Sequence, residues 1–206
     1  MGRKANLNYR LCGVGVNDAD YKISDCPYYS RWTSILKRCY SESYHKRKPT
    51  YIGCEISEEW VYFTNFKRWM ETQDWEGKQL DKDLLVRGNK LYSAETCIFV
   101  SAKVNSFLAI YSESTKKSGL AIGVSKGDTG FISQGSDGNG KRLLLGSYTT
   151  EAQAHNAWKV NKLEILDSLI ENEVGVILPV LVKLRLQLID SIENGTIITK
   201  NDLIGR

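Results

Sequence analysis

Three groups of side chains in this 206-residue chain have the types and spacing to do chemistry. The first is the run Tyr44, His45, Lys46, Arg47, Lys48, with Tyr51 close behind. Cations interleaved with aromatics suit phosphate contact and base stacking. The same composition also suits a solvated loop ahead of Pro49. The second group is Asp81 and Asp83 on either side of Lys82. They sit near the start of an apolar run, Leu80 to Val86, read as a strand. Alternation then puts both carboxylates on one face, where they could also be plain strand-end acids paired with Lys82 and Lys90. The third is the thiols. Cys39, Cys54 and Cys97, with Cys12, Cys26 or His45 as a fourth ligand, are a candidate structural Zn²⁺ site. No CxxC pair is present, and cysteine is also one of the most buried residue types. Five cysteines, an odd number, read as free thiols in a reducing compartment.

The elements that must position these groups follow from hydrophobic period. Residues 11–16, LCGVGV, read as a strand or tight turn; no helix opens after the GxG, so it is no nucleotide fingerprint. Residues 28–42 read as a helix, with Tyr29, Trp32, Ile35, Leu36 and Cys39 at helical spacing. Trp60, Phe63, Phe66, Trp69 and Met70 make an aromatic helix stripe fit for a core. Residues 80–107 read as strand, polar turn at Gly88 and Asn89, strand from Cys97 to Val100, then a helix. That helix has Val104, Phe107 and Leu108 on one face and Asn105 beside them.

This strand, loop, strand, helix order resembles the HNH, or ββα-metal, nucleases. The resemblance to phage-encoded HNH-like proteins covers roughly residues 11–108, through W-x6-CY, GC-x5-W-x2-F-x2-F, LDKD and GNKLYS. It implies roles residue by residue. Asp81 falls in the acidic slot and Asn105 in the helix slot, the pair that holds one divalent metal, Mg²⁺ or similar. The general-base slot, normally His, falls on Lys82, and the middle Asn slot on Thr96. A lysine with its ordinary pKa of about 10.4 is protonated at neutral pH and accepts no proton. Lys82 would then stabilise phosphate charge, and Asp83 or a metal-bound water would replace the base.

Residues 111–118, YSESTKKS, have linker composition. Beyond them, Ala121–Ser125, Gly130–Gln134 and Lys141–Gly146 read as three short strands, the last two joined by a GSDGNG turn. A helix follows, with Thr149 or Thr150 as N-cap and Glu151 in its first turn. The order IGVS, KR-LLLGSY, T-x-EAQA-x2-AW resembles the APETALA2/ethylene-response-factor type of DNA-binding domain. That family lays its sheet in the major groove. The resemblance assigns nucleic-acid contact to Lys126, Phe131, Gln134, Lys141 and Arg142, in addition to Lys46, Arg47 and Lys48. The family's run of arginines is thin here, which favours phosphate positioning over base reading. A lone helical histidine, His155, reads as a packing or surface residue. From residue 163 the chain reads as helical, with Pro179 in a first turn, Leu181, Leu184, Leu188 and Ile192 on one face, and Gly195 at the stop. The stretch VLVKLRLQLI also alternates like a strand. So apolar a stripe needs the sheet or a second chain to cover it.

The expected fold class is therefore α+β. An HNH-like ββα-metal domain (1–110) is followed by a linker (111–118), a three-stranded antiparallel sheet plus helix (119–162) and a C-terminal helical segment (163–206). Net charge of +4 permits a polyanionic partner. No run of 18 apolar residues and no signal-peptide core are present, so no membrane partner and a cytoplasmic location are expected, the host cytoplasm if phage-encoded. The expected function is a metal-dependent, HNH-like homing-type phage endonuclease (a hydrolase) that cleaves or nicks duplex DNA. The alternative is a catalytically degenerate DNA-binding phage regulator or anti-defence protein on the same scaffold. A protein-binding module using the aromatics and the C-terminal helix is a third class. A homodimer through that helix is the other partner expected.

Overall fold

The structure is a computed structural model, and it describes residues 8–86, 88–109 and 119–198. The fold is mixed α and β: six α-helices, short two-stranded pairings and one three-stranded sheet among the described residues. The chain divides into two compact units, Met1–Phe99 and Val100–Arg206. The linker expected at 111–118 lies outside the described residues.

In the first unit, β1 (Arg10–Leu11) and β2 (Gly15–Val16) form a tight antiparallel hairpin. Helix α1 (Pro27–Tyr40) starts at a proline, whose missing N–H costs nothing in a first turn. Its buried residues Trp32, Ile35, Leu36 and Cys39 recur at three and four. The basic run is not a loop: α2 (Glu42–Arg47) is a six-residue helix, N-capped by Ser41, whose hydroxyl accepts from the Tyr44 N–H. The capping hydroxyl and Glu42 in the first turn outweigh the solvated character of the run. Strand β3 (Glu55–Ile56) pairs in parallel with β5 (Leu91–Tyr92). Helix α3 (Phe63–Glu71) buries Phe63, Phe66 and Met70, and Asp18 caps it through the Thr64 N–H at 2.9 Å. The core joins these to Trp32, Trp60, Tyr92, Cys97 and Phe99. Edge-on and tilted ring pairs, such as Trp60–Phe66 at 4.9 Å, fill it. Strand β4 (Gln79–Asp81) pairs with β6 (Ile98–Val100).

In the second unit, Ser101 caps α4 (Ala102–Ala109), accepting from the Val104 N–H while donating to Glu173 at 2.6 Å. The sheet runs β7 (Val124–Lys126), β8 (Phe131–Ser136), β9 (Arg142–Tyr148), antiparallel throughout, each within a few residues of the expected spans. Helix α5 (Glu151–Asn172) packs on it. Thr150 and Gln153 form a full capping box at its start. Two glycines permit the close approach: a Cβ on Gly123 would lie 2.1 Å from Trp158, and one on Gly135 would lie 2.2 Å from Asn161 Oδ1. Asn161 bonds both the N–H and the carbonyl of Ser136 at 3.1 Å. No breaker interrupts α5 over its 22 residues, so the boundary expected at 162 falls inside a continuous helix. Helix α6 (Ile177–Glu193) resolves the helix-or-strand ambiguity of the C-terminal stripe. Its Leu181, Leu184 and Leu188 are buried at helical spacing, with Pro179 in the first turn. No helix among the described residues is long and apolar enough to cross a membrane.

Candidate functional site

The acidic pair is arranged differently from the expected strand face. Strand β4 stops at Asp81, and residues 82–86 are a bend. The cause is Asp81 itself. Its Oδ1 accepts from the N–H of Asp83 at 2.8 Å and of Leu84 at 2.9 Å, an Asx-type turn that takes those donors from any ladder. Asp81 and Asp83 therefore do not share a strand face. Asp81 is 6% exposed, and its carboxylate is aimed by its own turn.

Lys82, 8% exposed, is bound on two sides. Its Nζ pairs with Asp83 Oδ1 and donates to the Asn89 carbonyl at 2.7 Å. The Tyr92 ring lies beneath it, 5.8 Å from the ammonium. Asn89 returns its Nδ2 to the Lys82 carbonyl at 2.8 Å and to the Leu91 carbonyl at 2.5 Å. An ammonium that donates to a carboxylate and a carbonyl is a fixed positive charge with no lone pair to offer. Thr96, in the middle Asn slot, donates its Oγ1 to the same Leu91 carbonyl at 2.7 Å. Asn105 sits half-buried on α4, its N–H bonded to the Ser101 carbonyl, in the second unit.

Lys46, Arg47 and Lys48 are exposed, and none of them forms an ion pair among the described residues. Around them Arg47 lies 5.8 Å from the Tyr44 ring centre, Arg38 lies 5.7 Å from that of Tyr51, and the two rings meet edge to face at 5.6 Å. Arg38 of α1 belongs to this patch. So does Lys90, which donates to the carbonyls of Thr50 and Ile52. His45 bonds the Arg38 carbonyl through Nε2 at 2.7 Å. A carbonyl only accepts, so that nitrogen carries the proton and is no metal ligand.

Cys39, Cys54 and Cys97 are all buried in the one aromatic core. Burial pushes the Cys39 and Cys97 thiols up to about 12, so both stay protonated at neutral pH and pack as small apolar groups. Among the described residues no group of three His, Cys, Asp or Glu is placed to hold a metal ion. Carboxylate and amide oxygens are donors of the kind a hard cation takes, and Asp81 and Asn105 fall in different units.

On the sheet, alternation sorts the nucleic-acid candidates. Ser133 is fully buried and Gln134 is exposed, so Gln134 lies on the outer face of β8 across a bulge from Ser133, although it and Arg142 also line a cavity with Trp158 and Lys162 of α5. Ser136 pairs with Arg142, and Gln134 with Leu144, on that outer face; Leu144 is 72% exposed. Phe131 has the opposite parity and pairs with Lys126, whose ammonium lies 4.2 Å from the ring centre. Lys141 is exposed at the start of the returning strand, where its N–H bonds Asp137 Oδ1. The structure thus joins Gln134 and Arg142 on one face and sets Phe131 and Lys126 on the other. His155 is a packing residue, as its isolation implied: it is 1% exposed, and each ring nitrogen has a backbone partner. No protein-family model matches this chain, and no curated protein or solved structure matches it either.

Proposed function

We propose that the chain is a phage-encoded duplex-DNA-binding protein: an HNH-like N-terminal part followed by a sheet-and-helix reader of the APETALA2 kind. The observation that carries this reading is the exposed cation cluster at Lys46–Lys48, set among tyrosines and guanidinium groups and forming no ion pair with a carboxylate among the described residues. Such a patch positions phosphates. The outer sheet face, through Gln134 and Arg142, supplies the second contact.

In the hydrolytic form of this proposal the protein is a homing-type endonuclease. Asp81 and Asn105 would hold one Mg²⁺ or similar ion, which polarises the phosphate and activates water when bound. Lys82 holds phosphate charge and takes no proton. The second reading, DNA binding without cleavage as a regulator or anti-defence factor, is favoured by one specific observation. The base slot is filled by a cation already bound to Asp83 and Asn89. The dimer expected through the C-terminal helix belongs to the same proposal, with exposed Val182 and Leu186 one turn apart on α6 as its contact.

Plasmid nicking with Mg²⁺ or Mn²⁺ tests the first form, and Asp81→Ala should abolish it. Salt-sensitive DNA retention with no nicking under any metal selects the second. Absence of DNA binding at low salt overturns both.

A further inference from the structure

The second unit holds a cavity whose walls include Gln134 and Arg142 of the proposed DNA contact, but whose buried Lys162 that contact does not use. The cavity, of about 470 Å³, is lined by α4, the sheet and α5. Lys162 lines it together with Phe107, Trp158, Ser136 and Arg142, and no Asp or Glu among the described residues does. Lys162 is 1% exposed. Its ammonium has no hydrogen-bond acceptor and no ion pair among the described residues. Among the described residues it meets the rings of Phe107 at 5.5 Å and Trp158 at 5.8 Å from their centres.

Lys159, one turn earlier and equally buried, shows what this chain does with an ammonium that is purely structural. It donates to the Ser191 carbonyl at 2.6 Å, the Ser191 hydroxyl at 3.1 Å and the Thr196 carbonyl at 2.8 Å. Buried charges are normally paired in this way. Ring faces compensate an ammonium only in part. Burial lowers the Lys162 pKa to about 8, so at neutral pH the cation persists beside a cavity with no carboxylate among its described walls.

We propose that this cavity binds a phosphate monoester carried on a small apolar or aromatic body, with the Lys162 ammonium as its counter-ion and Arg142 as the second cation. A monoester carries about −1.5 to −2 charges at neutral pH, which two cations match. The aromatic walls accept the body. The monoester can belong to a free small molecule or to the 5′ end of a DNA strand.

The test is calorimetry on the full chain with phenyl phosphate as probe and phenol as its neutral counterpart. Phenyl phosphate should bind saturably, and phenol should not. Lys162→Met and Lys162→Gln should each weaken binding by about tenfold or more, while both variants still unfold cooperatively. Undetectable binding of phenyl phosphate at about 10 mM, or affinity unchanged in both variants, overturns the proposal. Short oligonucleotides then assign the source. Competition by a 5′-phosphorylated strand alone points to a strand end, and competition by neither points to a free small molecule. Equal competition by a 5′-hydroxyl strand would mean that the strand's internal phosphodiesters enter, and the monoester assignment falls.

Discussion

Lys82 and Asn89 hold each other across the loop between β4 and β5: the Lys82 ammonium donates to the Asn89 carbonyl, and the Asn89 amide returns to the Lys82 carbonyl. This reciprocal pair, with the Asp83 carboxylate, closes the loop that follows Asp81. Replacing Asn89 by Ala removes two bonds to backbone carbonyls and should destabilise the first unit by about 1–3 kcal/mol. Urea unfolding followed by tryptophan fluorescence, with four of the chain's five tryptophans (Trp32, Trp60, Trp69 and Trp75) in this unit, measures the loss. An unchanged midpoint would show that the pair is incidental.

Exposed cations act on DNA through counterion release. Substituting Lys46, Arg47 and Lys48 together by Ala should lower the slope of log K against log salt by about 2–3. Binding should weaken uniformly across sequences, because phosphate contacts carry no base information. Arg142→Ala, by contrast, should change the preference between sequences if the outer sheet face reads bases. Fluorescence anisotropy at several salt concentrations separates the two.

His155 links stability to pH. Its Nε2 accepts from the Ile198 N–H, so Nδ1 carries the proton and donates to the Ile122 carbonyl, and the ring is neutral when folded. Burial lowers its pKa below the ordinary value of 6.5. The unfolded chain therefore binds the proton more readily, and stability falls as pH drops through about 6.5 toward the lower folded value. Thermal scans between pH 7 and pH 5 should show this loss in the wild type. His155→Ala should be less stable at pH 7 and flatter over that window.

Lys162 has the opposite sense to a stabilising pair. Its folded pKa of about 8 lies below the unfolded 10.5. Its charge costs stability at neutral pH, a cost relieved as pH rises from about 8 toward 10.5. Lys162→Met should raise the stability of the unliganded chain at pH 7 by about 1–3 kcal/mol, read as a higher denaturation midpoint. A lower midpoint would show that the ammonium is better solvated than its surroundings imply.

Periodicity made the helices and the three-stranded sheet legible, because burial of one face writes itself into spacing: Trp32, Ile35, Leu36 and Cys39 on α1, and Leu181, Leu184 and Leu188 on α6. The Asx turn at Asp81 was not legible, because the apolar residues after it mimic a strand and only geometry shows the carboxylate capturing two N–H groups. The helical state of the basic run was signalled by Ser41 and Glu42, an N-cap and a first-turn acid. Lys162 also left a trace: it lies one turn beyond Trp158 and two beyond Ala154, on the stripe that faces the sheet. A cation in that register is an anomaly that composition alone hides.

The unbroken run of α5 limits how this protein can be taken apart. Its first half seats the sheet, and its buried Lys159 and His155 are answered by Thr196 and Ile198, beyond the end of α6. A fragment trimmed at residue 162 would keep every strand yet strip the partners from two polar groups in its interior. The smallest portable version of the sheet therefore extends through residue 198, and engineered fusions should be joined after that point.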